Sequence, residues 1–188
     1  MSKINIIILS ASLMALGAFS IDTILPSISY LKNDFNFLPQ NSHWIITSVF
    51  LGIAIGQLVF GPVSDRIGRK KTAIIGLIIF SIGCILSIIS KDYFLFLITR
   101  FLQGLGSGAA VEVSRAMARD FFEGRKLAQI MSLVTTIFIL VPVFAPSIGQ
   151  IIISISNWKI IFVFMLFLSI ILKLFIVFKY IEAGKVRD

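Results

Sequence analysis

The chain predicts an all-α membrane protein with six transmembrane helices, and three observations carry that prediction. Hydrophobic residues make up 57% of its 188 positions, with 18 Phe, and mean hydropathy is +1.01. That balance lies outside the range of water-soluble domains. The apolar residues also gather into six runs, each near or above the roughly 20 residues that ~30 Å of hydrocarbon requires. Finally, basic residues concentrate on alternate connections between the runs, as the positive-inside rule demands. The period-2 alternation of a membrane barrel is missing from the sequence.

The first run extends from Ile4 to Tyr30. Lys3, an apolar core and the small residues Ala15, Gly17 and Ala18 give it the outline of a signal peptide. It is longer than a signal core and five more runs follow, so it reads as a retained span. The second run is Trp44 to Phe60, the third Thr72 to Ile89 and the fourth Tyr93 to Val113. Gly52 and Gly56 in the second, and Gly104 and Gly108 in the fourth, recur at helical spacing and mark faces for close helix packing. Cys84, in the third run, is the only cysteine, which leaves no disulfide or metal framework. The fifth run is Leu127 to Ile155 and the sixth Trp158 to Tyr180. Pro26, Pro142 and Pro146 are expected to interrupt the first and fifth spans. Each removes a backbone donor that lipid cannot replace, so such breaks survive only against protein or a wet cavity. They point either to a transport path or to a structural kink.

A net charge of +8 raises the question of a nucleic-acid partner, and the placement of the bases answers it. With the amino terminus in the cytoplasm, twelve of the 17 Lys and Arg fall inside. They are Lys3, the loop with Arg66, Arg69, Lys70 and Lys71, the loop with Arg115, Arg119, Arg125 and Lys126, and the tail with Lys179, Lys185 and Arg187. Lys32, Lys91 and Lys159 fall outside. This asymmetry orients a membrane protein with both termini cytoplasmic, and no nucleic acid is needed to explain it.

Two opposite charges lie at one depth in the outer part of the spans. Asp22 and Arg100 each sit seven or eight residues from an outer end, hence roughly 10–12 Å deep at about 1.5 Å per residue. An unpaired charge there costs at least ~2.5–3.5 kcal/mol. The expectation is that the two are partners, or form a titrating site on an interior cavity, with Asp22 able to exchange a proton for cargo. Glu112 and Lys173 lie nearer the inner side and are expected to snorkel. Gln57 and Gln103 are candidate polar linings of a cavity. The single histidine, His43, beside Trp44, reads as an interfacial anchor. Without a Cys/His cluster or a close carboxylate pair, the sequence argues against an enzyme and suggests neither cofactor nor metal.

The connection between the second and third spans reads GPVSDRIGRKK, Gly61 to Lys71. Gly61 and Gly68 are expected to allow the reversal. Orientation asks only for the bases and does not explain Asp65. The pattern G-x-x-x-D-R-x-G-R-K-K resembles the loop signature of the major facilitator superfamily. Further segments resemble its drug/proton antiporter branch, which includes the bicyclomycin and chloramphenicol exporters. These are DTILP from Asp22 to Pro26, RFLQGLGSG from Arg100 to Gly108, and SRAMARDFFEG from Ser114 to Gly124. APSIG from Ala145 to Gly149 and NWKIIF from Asn157 to Phe162 complete the set. Ala145 and Gln150 depart from the usual Gly-Pro and Gly-Gly of the fifth-helix motif.

The resemblance implies that residues 1–188 form the amino-terminal six-helix half of that fold, two three-helix inverted repeats, with a second half absent. It implies proton-coupled export of small drug-like molecules by alternating access. Asp22 and Arg100 would serve proton coupling, and Gly61, Asp65, Arg66, Gly68, Arg69 and Lys70 an inside gate. Arg115, Arg119 and Asp120 would belong to the second inside loop, and Pro142, Pro146 and Gly149 to a fifth-helix hinge. Its partners would be membrane lipid, an amphipathic substrate and protons, with a second six-helix half or another copy completing the cavity. The bacterial cytoplasmic membrane is the implied location. Without a second half, Asp65 is expected to face solvent or a partner, and the glycine-lined faces of the second and fifth helices to meet lipid. The alternatives are an inactive remnant, a half-subunit or, against the fifth-helix proline pattern, a nutrient importer.

Overall fold

The first apolar run does not fold as one rod. In the computed structural model, which describes residues 3–179, helix α1 (Lys3–Asp22) stops abruptly. A 3-10 turn at Leu25–Ser27 follows, and the chain resumes helix as α2 (Ile28–Phe35). The cause is Pro26, which has no N–H and disfavours helical geometry in the residue before it. Asn36, at φ 49, then ends α2 in the left-handed conformation that a short amide tolerates.

The remaining helices are α3 (His43–Ile67), α4 (Arg69–Ile89), α5 (Tyr93–Phe121), α6 (Gly124–Ile155) and α7 (Lys159–Lys179). Counting α1 and α2 as one span, six helices are long and apolar enough to cross a membrane, and no strand occurs among the described residues. Tyr180 and the basic tail with Lys185 and Arg187 lie outside the described residues. Two predicted ends move. α3 continues past Phe60, through Pro62, to Ile67, and α5 continues past Val113 to Phe121. The polarity that marks a membrane boundary does not stop a helix. α6 is likewise continuous through Pro142 and Pro146, so the expected interruption of the fifth span is not present.

α5 is the central helix, packed against α1, α3 and α4. The glycines explain how it can be. A Cβ on Gly56 would lie 2.5 Å from the Leu105 carbonyl oxygen, and one on Gly108 2.5 Å from that of Ile53. α3 and α5 therefore meet backbone to backbone, the close approach on which membrane helices rely in place of a hydrophobic drive. Gly149 of α6 presses against the Thr23 carbonyl at the break after α1. These glycine faces are internal contacts, which corrects the expectation that they meet lipid. Large exposed side chains such as Leu58, Ile139, Val143 and Phe144 cover the outer faces of α3 and α6 instead.

The ends of the bundle are distinct. At one, Arg69 bonds Asp65 and Asp120 and the Lys70 ammonium donates to the Val177 carbonyl at 3.2 Å, gathering α3, α4, α5 and α7. At the other, the Trp158 indole donates to Asp34 at 2.6 Å and the Tyr93 hydroxyl donates to the Asn41 carbonyl at 2.5 Å. The first end carries the basic loops.

Candidate functional site

Arg100 is fully buried on α5. Its Nη2 donates to the Ser20 carbonyl at 2.7 Å, its Nη1 donates to Gln103 Oε1, and its guanidinium lies 5.7 Å from the Phe162 ring centre. Ser20 lies in the last turn of α1, where the break leaves carbonyls short of helical donors. A cation there also complements the negative end of the helix dipole. Arg100 thus caps a broken helix from a neighbouring one. Its Nε has no partner, and the nearby Thr23 hydroxyl is also buried and unbonded.

The expected Arg100–Asp22 pair does not form. The ion pairs among the described residues are Arg69–Asp65, Arg69–Asp120, Arg115–Glu112 and Arg119–Glu112. Asp22 is half-buried at the end of α1, two residues beyond the carbonyl that Arg100 holds. Equal depth did not imply equal direction around the helix axis. Gln103 is also corrected: its amide donates to Cys84 Sγ and Met165 Sδ, both at 3.1 Å, so it is buried inside the bundle, away from the groove that Gln57 lines.

Gln57 does line a cavity. A groove of about 290 Å³ runs between α1, α3, α5 and α6, walled by Gly17, Phe50, Ala54, Gln57, Arg115 and Phe138 among others. Its polar end is a single bonded pair, in which Arg115 Nη1 donates to Gln57 Oε1 at 3.2 Å. Glu112, one turn earlier on α5, accepts from Arg119 at 3.2 Å and stands 4.0 Å from Arg115. It is held by two arginines of its own helix, not snorkelling as expected. Nothing in the sequence distinguished these roles except the spacing of Glu112, Arg115 and Arg119, which shares a helical face.

The basic end is closed by Arg69. Its Nε and Nη2 bond the two oxygens of Asp120 at 2.8 and 3.3 Å, while Nη1 bonds Asp65 at 2.5 Å and the Ser64 hydroxyl at 2.7 Å. A planar fork suits this arrangement, which an ammonium could not reproduce. The sequence placed Asp65 and Asp120 in two separate loops; the structure joins them through one residue. Asp65 keeps a side chain 68% exposed, and Arg66 is exposed. Gly68, at φ 94, makes the α3–α4 reversal. Gly61 does not, because it lies within α3. Lys70 caps α7. Pro142 is exposed and Pro146 half-buried on α6, with Ala145 and Val141 packed on Ala18 of α1, so the two proline-bearing spans are direct neighbours.

The family profile of the Major Facilitator Superfamily matches residues 7–187. The chain is 34% identical over 172 residues to Multidrug resistance protein MdtL of Citrobacter koseri, covering 92% of this chain and 44% of the relative. It is 34% identical over 150 residues to the Bicyclomycin resistance protein homolog of Haemophilus influenzae, covering 80% of this chain and 38% of the relative. The chain thus spans less than half the length of these relatives. A crystal structure of a D-xylose-proton symporter superposes with a TM-score of 0.82 over 98% of this chain and 49% of its own, at 16% identity, a likeness of fold alone. A profile match over nearly every residue, on six apolar helices with this shared fold, means that the chain is an integral membrane protein belonging to the major facilitator superfamily, a family of transporters and not of enzymes.

Proposed function

We propose that this six-helix unit forms one wall of a secondary transporter that exports small drug-like molecules in exchange for protons. The observation that carries the reading is the 34% identity, over 92% of the chain, to a relative named as a multidrug resistance protein. The groove supports it, since an apolar, aromatic surface with few polar groups suits cargo with an apolar body. In alternating access the unit rocks against a second six-helix wall, supplied by the same polypeptide, a separate chain or another copy. The unit sits in the bacterial cytoplasmic membrane with both termini inside, a placement the basic loops favour.

Asp22 is the proton carrier in this reading. It is half-buried and outside every ion pair among the described residues, so its carboxyl can gain or lose a proton without breaking one of them. Arg100 acts through the backbone, holding the end of α1 on which Asp22 rides. Pro142, Pro146 and Gly149 let α6 bend against that break. The cluster of Asp65, Arg69 and Asp120, with Gly61, Arg66, Gly68, Lys70, Arg115 and Arg119 around it, is the inside gate region.

The test is drug flux in proteoliposomes containing the 188-residue chain alone, or with a matching six-helix half. A pH gradient should drive efflux of labelled chloramphenicol in at least one arrangement. Asp22→Asn should abolish that drive but leave exchange of labelled for unlabelled drug. Flux that ignores both the gradient and Asp22→Asn would remove proton coupling. No flux in any arrangement would overturn the export reading.

A further inference from the structure

We infer that the groove between α1, α3, α5 and α6 selects cargo by charge, taking an apolar body that carries an anionic or hydrogen-bond-accepting head and rejecting lipophilic cations. This deepens the transporter reading and rests on it. The polar residues of the groove are Gln57 and Arg115. Gln57 Oε1 already accepts from Arg115, which leaves that amide two N–H donors against one remaining lone pair. Arg115 is donor-only, carries a permanent charge and commits Nη1 alone to Gln57. Both groups therefore present donors to the groove. Donors are in excess, so the groove favours an accepting head.

The charges around the groove point the same way. None of its lining residues is a carboxylate. Asp22 follows Ile21 of the wall but does not itself line it. The remaining acid, Glu112, lies closer to Arg119, at 3.2 Å, than to Arg115, at 4.0 Å. Two arginines against one carboxylate leave the cluster with one positive charge in excess. Arg115 keeps 35% of its side chain exposed, so that excess is open to a ligand and not sealed in protein. Against apolar walls of low dielectric, an unmatched cation repels a second cation and attracts an anion far more than it would in water. Phe50 and Phe138 supply the surface for an aromatic or aliphatic body.

The experiment is equilibrium dialysis of two probes sharing one aromatic body, naphthalenesulfonate and naphthyltrimethylammonium. They are dialysed against phosphatidylcholine nanodiscs containing the full chain, with empty discs subtracted. The sulfonate should bind more tightly by on the order of tenfold, the scale of one charge-assisted hydrogen bond. Arg115→Gln should erase that preference, Arg115→Lys should keep it, and Glu112→Gln should strengthen sulfonate binding. The lysine variant, with helicity checked by circular dichroism, separates a lost charge from a lost fold. The inference is overturned if the ammonium binds as well as the sulfonate, if Arg115→Gln retains the preference, or if neither probe exceeds the empty discs. Dialysis reads binding without flux. Charge-selective binding alongside absent proton-driven export would sink the export reading alone, and export without charge selection would sink only this inference.

Discussion

Arg100 shows what a buried charge does when its obvious partner is elsewhere. Its guanidinium serves the Ser20 carbonyl and Gln103 while Asp22 stays outside every ion pair among the described residues. Arg100→Lys keeps the charge but replaces a two-pronged donor with a point, so one acceptor is orphaned at a cost of ~1–2 kcal/mol. Asp22→Asn should change stability by less than ~0.5 kcal/mol, because no pair is lost. In thermal unfolding the double variant should then equal the sum of the singles to within ~0.5 kcal/mol. A coupling above ~1 kcal/mol would show that the two side chains interact after all. The sequence made both residues conspicuous, because charge in lipid is conspicuous. It could not say which way each side chain turns, since depth is a coordinate along the bilayer normal and pairing also needs the angle around each helix. Gln103 was misplaced for the same reason: polarity in a span is legible, but whether it faces a groove or two sulfur atoms is not.

Helices were legible to the extent that the bilayer dictates them. Six runs became six spans because hydrocarbon thickness sets their length, whatever the packing. Their ends were less legible, as α3 and α5 continue well into polar sequence. The break after α1 lies within unbroken apolarity and is announced only by Pro26, whereas Pro142 and Pro146 leave α6 continuous. Proline removes a bond in each case, but only neighbouring contacts decide whether the chain turns. The glycines of α3 test this view of packing with one substitution at two sites. Ala at position 56 would put Cβ 2.5 Å from the Leu105 carbonyl and 3.2 Å from Gly108 Cα, backbone atoms that cannot yield without separating α3 from α5. Gly56→Ala should cost ~1–3 kcal/mol. Gly61→Ala meets nothing nearer than Glu112 Cγ at 3.8 Å and should be neutral, or stabilising by up to ~1 kcal/mol through helix propensity. Equal losses of melting temperature at the two sites would refute the backbone-contact account.

At the scale of the whole molecule, the question is what holds six helices together as one unit. Along the bundle α5 is in contact with α1, α3 and α4, but at the basic end the loops depend on Arg69. That residue ties the α3–α4 turn to the end of α5, and its two acids are not equivalent. Asp120 accepts two bonds and is 34% exposed; Asp65 accepts one and is 68% exposed. Exposed pairs are worth ~0–1 kcal/mol, so neither substitution should unfold the protein. The difference should appear locally. Asp120→Asn should raise amide hydrogen exchange at the Gly68 turn and the last turn of α5 together, because the tie between them is lost. Asp65→Asn, which leaves the Asp120 fork in place, should raise it much less. High salt should reproduce the Asp120→Asn pattern in part, since these charges lie near solvent where ions screen them. If both variants loosen the two segments equally, or if Asp120→Asn loosens only α5, then Arg69 does not couple the loops. The basic end would then be a set of independent orientation charges, and the unit's rigidity would have to come from helix packing along the bundle, the glycine seam between α3 and α5 included.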